Sequence, residues 1–438
     1  MKKIIFSLLF TCFVSLLFAQ DMKKAKSYLD AKQLDKAKTE VDGLLAKDPA
    51  NTEALYMKAR VYGQIADSEQ YSNLITGDAR AEALDAFKKA IADSANPKVS
   101  LMAMQDQYKA LFDLYSGYYS AGAKAFNDAA TASSQQGYEG AMNLFIKAND
   151  IGQYIAQKKY ATIGAVDTTL VLNIGKAALN AKNNEASERY FKMLADANVS
   201  GLKGATADEN SAYVIPYQWL ALHYKEAKDE ANMLKYADMG QKLFPESDYF
   251  TLVEMDYFRD KKDQPSLFKK YDELVAKYPD SLAYHFNYAN DIFGYLYNSD
   301  EGTVVNNKEA LMKTLGEQVQ SAYKIDPADV NNNWLYAQYY YNLGIELRDS
   351  ASKIKSTKPE DVKRKADINA ESKASFNKAI PYADQSLTKL EAGFNKSDKS
   401  RFKSIANLAQ KIYQSLNMDA KVKTYQDKYD AADDKFVN

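Results

Sequence analysis

The sequence predicts an all-α protein in which helices pair and the pairs stack along the chain. Helix breakers are few, since only nine of the 438 residues are proline. Large and small residues recur at spacings of three and four, which is the spacing of one helix face. Pro245 and Pro279 lie 34 residues apart, and each follows a stretch of two such helices that a proline cannot continue.

The segments before these two prolines share one frame. The first carries large and small residues at Tyr217, Leu220, Ala221, Tyr224, Met233, Ala237 and Gly240. The same offsets in the second give Thr251, Glu254, Met255, Phe258, Leu267, Tyr271 and Leu274. Small residues let two helices approach closely, and large ones fill the gaps between pairs. Because one pair cannot bury its apolar stripe alone, an array of stacked pairs is expected.

This pattern resembles the tetratricopeptide repeat, in which aromatic, Leu-Gly-like and Tyr positions are followed by Ala, Phe, Ala and Pro. The resemblance covers most of the chain and is weakest around residues 100–135 and beyond residue 350. It implies a right-handed α-α superhelix, a tetratricopeptide solenoid of about eight helix pairs with insertions. The first helix of each pair would line a concave inner face.

The frame divides the chain into two predicted repeat blocks. Residues 20–197 form an N-terminal block and residues 212–438 a C-terminal block, with a candidate joint at 198–211, where apolar residues are few. A long polar insertion occupies residues 349–370. Insertions in repeat arrays form loops or lengthened helices, and some of them bind partners. The sequence leaves open whether this insertion forms a loop or lengthened helices, and whether it binds a partner.

Residues 1–19 have the layout of a secretory signal peptide. Lys2 and Lys3 precede an apolar run over residues 4–18, and the small residue Ala19 follows. This order is typical of a signal that is cleaved, here after Ala19. The single cysteine, Cys12, lies within the run, so lipid attachment is the minor interpretation. We therefore expect a periplasmic or secreted protein of the cell envelope.

The layout also resembles a group of secreted repeat proteins of Gram-negative bacteria. These share a signal ending in Ala-Gln and a long polar insertion after a Tyr-Asn-Leu-Gly-like segment, which here is residues 341–344. The resemblance implies an extracytoplasmic helical scaffold, and it implies no defined activity.

Charge argues against nucleic acid as a main partner. The chain has 57 basic and 58 acidic residues, and loss of Lys2 and Lys3 would leave 55 basic ones and a charge of about −3. Phosphate binding needs clustered positive charge instead. Outside residues 4–18 no apolar run approaches the roughly 20 residues of a membrane-spanning helix.

The sequence lacks the motifs that carry chemistry. Metal-ligand pairs, a nucleophile elbow and a phosphate-binding glycine loop do not occur, and the two histidines, His223 and His285, are far apart. We expect no cofactor, no bound metal and no enzymatic activity. A hydrolase that uses two of the many carboxylates is the minor alternative.

The repeat resemblance also names the residues that would line the inner face. Aromatic rings beside amides suit stacking on, and hydrogen bonding to, an extended peptide or a sugar. The alternative is that the rings fill a tightly wound groove against neighbouring helices. The leading hypothesis is a scaffold for a protein or peptide segment, with glycan binding second. Carried over by register, the candidates are Tyr56, Arg60, Gln218, Lys225, Phe286, Asn290, Phe293, Trp334, Gln338 and Tyr341.

Overall fold

The computed structural model describes residues 21–92, 97–161, 167–299 and 304–436. The predicted signal peptide, residues 1–19, lies outside the described residues together with Cys12. Across the described ranges the regular structure is helical, and those ranges contain no strand. The predicted all-α fold class is confirmed.

Consecutive helices pack in antiparallel pairs along the chain, as the repeat frame predicts. Residues 21–30 form α1. The helices that follow are α2 (Leu34–Lys47), α3 (Thr52–Ala66), α4 (Ala79–Ala92), α5 (Pro97–Gln105), α6 (Lys109–Ala132), α7 (Gln135–Lys158), α8 (Thr168–Asn180), α9 (Asn184–Asp196), α10 (Ala207–Asn210), α11 (Ile215–Glu226), α12 (Glu230–Leu243), α13 (Tyr249–Asp260), α14 (Gln264–Lys277), α15 (Leu282–Tyr297), α16 (Lys308–Ile325), α17 (Val330–Lys353), α18 (Pro359–Glu391), α19 (Lys399–Ser415) and α20 (Asp419–Lys435).

The chain divides into two compact units, one up to Val253 and one from Glu254 onward. The division between repeat blocks predicted at 198–211 stays a prediction; that segment holds a loop and the short helix α10. In the second unit, α17 continues to Lys353 and α18 begins at Pro359. Most of the polar insertion at 349–370 therefore consists of lengthened helices.

A recurring turn joins the two helices of several pairs. Lys182, Lys228 and Lys262 each adopt a positive φ of 57 to 58°, which closes the first helix. An Asn or Asp follows each lysine, and its side chain accepts a hydrogen bond from a backbone N–H in the first turn of the next helix. This cap satisfies a donor that the helix start would otherwise leave unpaired.

Helices approach closely where a glycine of one faces a phenylalanine ring of the next. At Gly240 a Cβ atom would lie 2.2 Å from Phe250 Cε1, and the Phe250 side chain is completely buried. Only a residue without a side chain fits such a contact. The pairs are Gly122 with Phe145, Gly175 with Phe191, Gly240 with Phe250, and Gly344 with Phe376.

Tyrosine hydroxyl groups tie neighbouring helices together by donating hydrogen bonds to carboxylates. Burial of the hydroxyl raises the tyrosine pKa and the nearby negative charge raises it further, as at Tyr62 beside Asp42, so each group stays a donor. These bonds include Tyr56 to Asp106, Tyr62 to Asp42, Tyr115 to Asp167, Tyr118 to Asp78, Tyr224 to Glu188, Tyr236 to Asp196, Tyr271 to Asp291, Tyr288 to Asp272, Tyr297 to Glu346 and Tyr425 to Asp384.

Asp78 joins three helices of the first unit. Its carboxylate accepts hydrogen bonds from the Ala81 backbone N–H (3.0 Å) in α4, the Tyr118 hydroxyl (2.9 Å) in α6 and the Lys147 ammonium (2.7 Å) in α7. Partial burial by itself would raise the pKa of Asp78. The hydrogen bonds from Lys147, Ala81 and Tyr118 outweigh it and lower the pKa below its ordinary value.

We predict that Gly240→Ala destabilises the protein by about 1–2 kcal/mol, because the added methyl group meets the buried Phe250 ring. Gly43 in α2 is the matched control, since nothing lies within 4 Å of a Cβ built there. Gly43→Ala should stabilise by about 0.5–1 kcal/mol through helix propensity. Urea denaturation followed by circular dichroism measures both. An unchanged midpoint for Gly240→Ala would mean that the helices do not approach closely here.

We predict that Asp78→Asn lowers the free energy of unfolding at pH 7 by about 1 kcal/mol, a value discounted because the side chain is 34% exposed. The folded pKa lies below the unfolded pKa, so this stability is present above the unfolded pKa and is lost as the pH falls through the folded one. The difference between variant and parent should vanish in acid. Asp85→Asn, which breaks an exposed pair with Lys89, should change little at either pH.

Candidate functional site

Helices α15 and α17 run in the same direction because both pack antiparallel to α16. His285 Nδ1 lies 2.6 Å from Gln318 Oε1, while Tyr297, at the other end of α15, meets Met312 near the start of α16. Asn332, near the start of α17, donates from Nδ2 to the Val319 carbonyl of α16 at 3.2 Å.

The C-terminal parts of α15 and α17 meet directly. The Tyr297 hydroxyl donates to Glu346 Oε1 at 2.9 Å, and Lys308 Nζ lies 2.8 Å from the same carboxylate oxygen. Burial, followed by the charge of Glu346, raises the pKa of Tyr297. The bond therefore fixes the register between the two helices.

Two matching rows of side chains follow from this register. Phe286, Asn290 and Phe293 lie along α15, and the residues 48 positions later, Trp334, Gln338 and Tyr341, lie along α17. Each row reads aromatic, amide, aromatic with spacings of four and three, which keeps its members on one helix face. We call these six residues the aromatic–amide rows.

The aromatic–amide rows are partly buried and partly exposed. Phe286 and Phe293 pack against a core that includes Tyr288 and Leu315. Trp334 and Tyr341 pack against the next core, where the Tyr341 and Phe376 ring centroids lie 5.8 Å apart. Gln338 is half-buried, and Asn290 is exposed. The four rings thus pack against the cores and stay partly exposed, as does Gln338, while Asn290 is exposed.

The start of α17 buries several polar groups beneath these rows. Asn333 donates from Nδ2 to the Pro327 carbonyl at 2.8 Å. The Oδ1 atoms of Asn332 and Asn333 and the Nε1 atom of Trp334 are buried without a hydrogen-bond partner among the described residues. A polar group in that state is destabilising. Because its N–H is buried, Trp334 presents a ring surface and not a donor.

The first-unit candidates do not repeat this arrangement. Tyr56, predicted to line the inner face, is only 2% exposed and donates its hydroxyl hydrogen to Asp106. The prediction for Tyr56 is wrong because α5 and the residue after it cover this face of α3, in the region where the repeat frame is weakest. Arg60 on α3, and Gln218 and Lys225 on α11, are half-buried. No aromatic candidate accompanies them on an accessible face.

Beside Asn290 lies a polar cavity of about 440 Å³ that sequence reasoning did not find. An ion pair crosses it, with Arg259 Nη2 3.0 Å from Asp291 Oδ2, and the Tyr271 hydroxyl donates to the same oxygen at 2.7 Å. These three residues come from three helices, so no local sequence motif predicts that they meet. The lining residues are Arg259, Lys262, Gln264, Leu267, Asn290, Asp291, Gly294, Tyr295, Asn298 and Ser299.

Neither histidine belongs to a metal or catalytic group within the described structure. His285 is 7% exposed, and its Nε2 lies 2.9 Å from the Pro279 carbonyl oxygen. His223 stacks on Trp219 with ring centroids 4.6 Å apart. No cluster of three or more His, Cys, Asp or Glu side chains suited to a metal occurs among the described residues.

Asp150 is a carboxylate with a raised pKa. Burial raises the pKa, and the neighbouring Arg189 and Lys88 oppose that shift. A raised carboxylate pKa marks a candidate acid only where a second group completes the site. The charged groups that perturb the pKa of Asp150 are both basic.

No protein-family model and no curated protein sequence matches the chain. Among solved structures, a human IFIT1 dimer with PPP-AAAA is 13% identical and matches 85% of this chain and 90% of its own, with a TM-score of 0.22. The Cut9-Hcn1 hetero-tetramer of APC/C is 10% identical over 96% of this chain and 98% of its own, with a TM-score of 0.23. Similarity this low assigns neither a function nor a partner.

A third solved structure, a circular tandem repeat protein with a novel repeat topology, is 10% identical over 96% of this chain and 95% of its own, with a TM-score of 0.17. The helix pairing of this chain is consistent with the tetratricopeptide-repeat family. In the described part of the chain no helix has both the length and the hydropathy that crossing a membrane requires.

Proposed function

We propose that this protein is a non-catalytic scaffold of the cell envelope that binds an extended segment of another protein along the aromatic–amide rows. The observation that carries the proposal is the repetition of aromatic, amide, aromatic on α15 and α17. Asn290 is exposed, and Gln338 and the four rings are half-buried. The signal-like layout of residues 1–19 supports an extracytoplasmic location.

The chemistry of the rows favours a polypeptide main chain. Each amide offers a donor and an acceptor, which are the two groups that a peptide unit presents. The four flanking rings offer apolar faces to side chains of the bound segment. None of the six residues carries a formal charge, so the rows would select an uncharged stretch of the partner.

We predict that a photo-crosslinking residue at position 338 captures a specific partner segment in cells that make this protein. The same residue at Lys324, exposed on α16, is the control.

The captured segment is then made as a peptide and titrated with purified protein. Asn290→Ala and Gln338→Ala should weaken binding about tenfold in total, since each removes one hydrogen-bonding group. Equal capture at both positions, or unchanged peptide affinity, would contradict the proposal.

Trp334→Ala provides a second, stronger arm of the same test. Removal of a large aromatic anchor should weaken peptide binding by tenfold or more. The variant also removes core contacts, so its folding is checked by circular dichroism before the titration. Trp334→Phe keeps most of the apolar area and should retain most of the affinity, which separates loss of the ring from loss of the fold.

Glycan binding is the second candidate function, and the polar cavity beside Asn290 is what favours it. Amides, an ion pair and Tyr295 surround a volume suited to one or two sugar units.

We predict that binding on a glycan array is lost in the double variant Asn290→Ala, Asn298→Ala. It should be kept in Asn407→Ala, which changes an exposed position on α19. A signal that survives the cavity variants would exclude this site.

A further inference from the structure

The connection between α17 and α18 carries an unusual concentration of positive charge. Residues 353–365, which we call the hairpin tip, contain six basic and two acidic residues in a chain that is almost neutral overall. Its acids are Glu360 and Asp361. The basic residues are Lys353, Lys355, Lys358, Lys363, Arg364 and Lys365.

The tip extends beyond the packed part of the helical hairpin. Ala351 is 1% exposed and Ser372 is 3% exposed, and Ser372 Oγ donates to the Gly344 carbonyl at 2.7 Å. Between them, from 352 to 371, no residue is buried. The tip is therefore a solvated pair of helix ends that contributes nothing to the core.

The basic groups of the tip are not neutralised by neighbouring carboxylates. Some lysines elsewhere do form such pairs, as Lys109 does with Asp113 at 2.6 Å. None of the six tip residues forms an ion pair within the described structure. The Lys365 ammonium instead reaches the Ile354 carbonyl at 3.4 Å, which links the two sides of the connection. Charge left unpaired in this way is available to an external anion.

We propose that the hairpin tip binds the surface of a membrane that contains anionic phospholipids. Clusters of four to eight basic residues on a helix are attracted to such surfaces by roughly 1 kcal/mol per residue. An apolar side chain stands among the charges, since Val362 is 53% exposed. Aliphatic side chains beside lysines can enter the headgroup region while the ammonium groups stay with the phosphates.

The composition of the tip favours lipid over nucleic acid. Residues 349–371 contain no aromatic side chain, and single-stranded nucleic acid is held mainly by base stacking on aromatic rings together with charge. Only one of the six basic residues is an arginine, the residue that binds phosphate with two parallel hydrogen bonds. That is few for a surface that recognises a nucleic-acid groove or backbone. A charged, aliphatic end of a helical hairpin is suited to a flat anionic surface.

The test compares the full-length protein with a variant of the same chain in which four tip lysines are neutralised, so that any effect of residues 4–18 is common to both. Binding is measured by co-sedimentation with vesicles of phosphatidylglycerol and phosphatidylcholine at low salt. We expect binding to weaken at least tenfold in the variant and to weaken also in Val362→Ser. The four changes are Lys353→Gln, Lys355→Gln, Lys358→Gln and Lys363→Gln.

A matched control removes the same charge from exposed lysines of the second unit, at Lys324, Lys411, Lys421 and Lys423. Its binding should stay within twofold of the parent. Tip-dependent binding that disappears on vesicles of pure phosphatidylcholine supports the proposal. Equal loss in both quadruple variants, binding that ignores lipid charge, or tip-dependent binding to a single-stranded oligonucleotide but not to vesicles would overturn it.

Discussion

The structure depends on the close approach of helices at positions that carry no side chain. At Gly175, Gly240 and Gly344 the ring of a phenylalanine occupies the space in which a Cβ would stand. Interiors packed at crystal-like density tolerate little added volume, so these contacts set the distance between helix axes. Once that distance is set, the apolar side chains on the facing sides of two helices can interdigitate. Each helix then covers the apolar surface of its neighbour.

Hydrogen bonds between side chains then fix the register of neighbouring helices, which apolar contacts alone would not determine. A tyrosine can lie in the core along its ring and still reach a carboxylate at the edge with its hydroxyl, as Tyr271 reaches Asp291 and Tyr288 reaches Asp272. An unpaired hydroxyl at the same depth would be destabilising. Sliding one helix past the next by a turn would break such bonds, which explains why so many tyrosines occupy positions between pairs.

The sequence was sufficient for the paired helices, because the 34-residue frame carries them. It also named the residues of the aromatic–amide rows, whose role in binding stays a prediction. It failed at Tyr56, where α5 covers a face that the regular repeat would leave open. It also missed the cavity beside Asn290, since Arg259 and Asp291 meet only after α13 and α15 have packed. Local periodicity specifies which face of a helix is apolar, and contacts between distant helices lie outside that information. For the same reason the sequence left open whether the insertion at residues 349–370 forms a loop or lengthened helices.

Helix α17 contributes to both surfaces that we propose. Trp334, Gln338 and Tyr341 lie in the first half of α17, and Lys353 is its last residue. Helices rise about 1.5 Å per residue, so Tyr341 and Lys353 are separated by about 18 Å along the axis. No proline interrupts α17, and its packing on α18 stiffens most of that length. A protein segment bound on the rows would therefore be held at a fixed, short distance from a membrane that binds the hairpin tip.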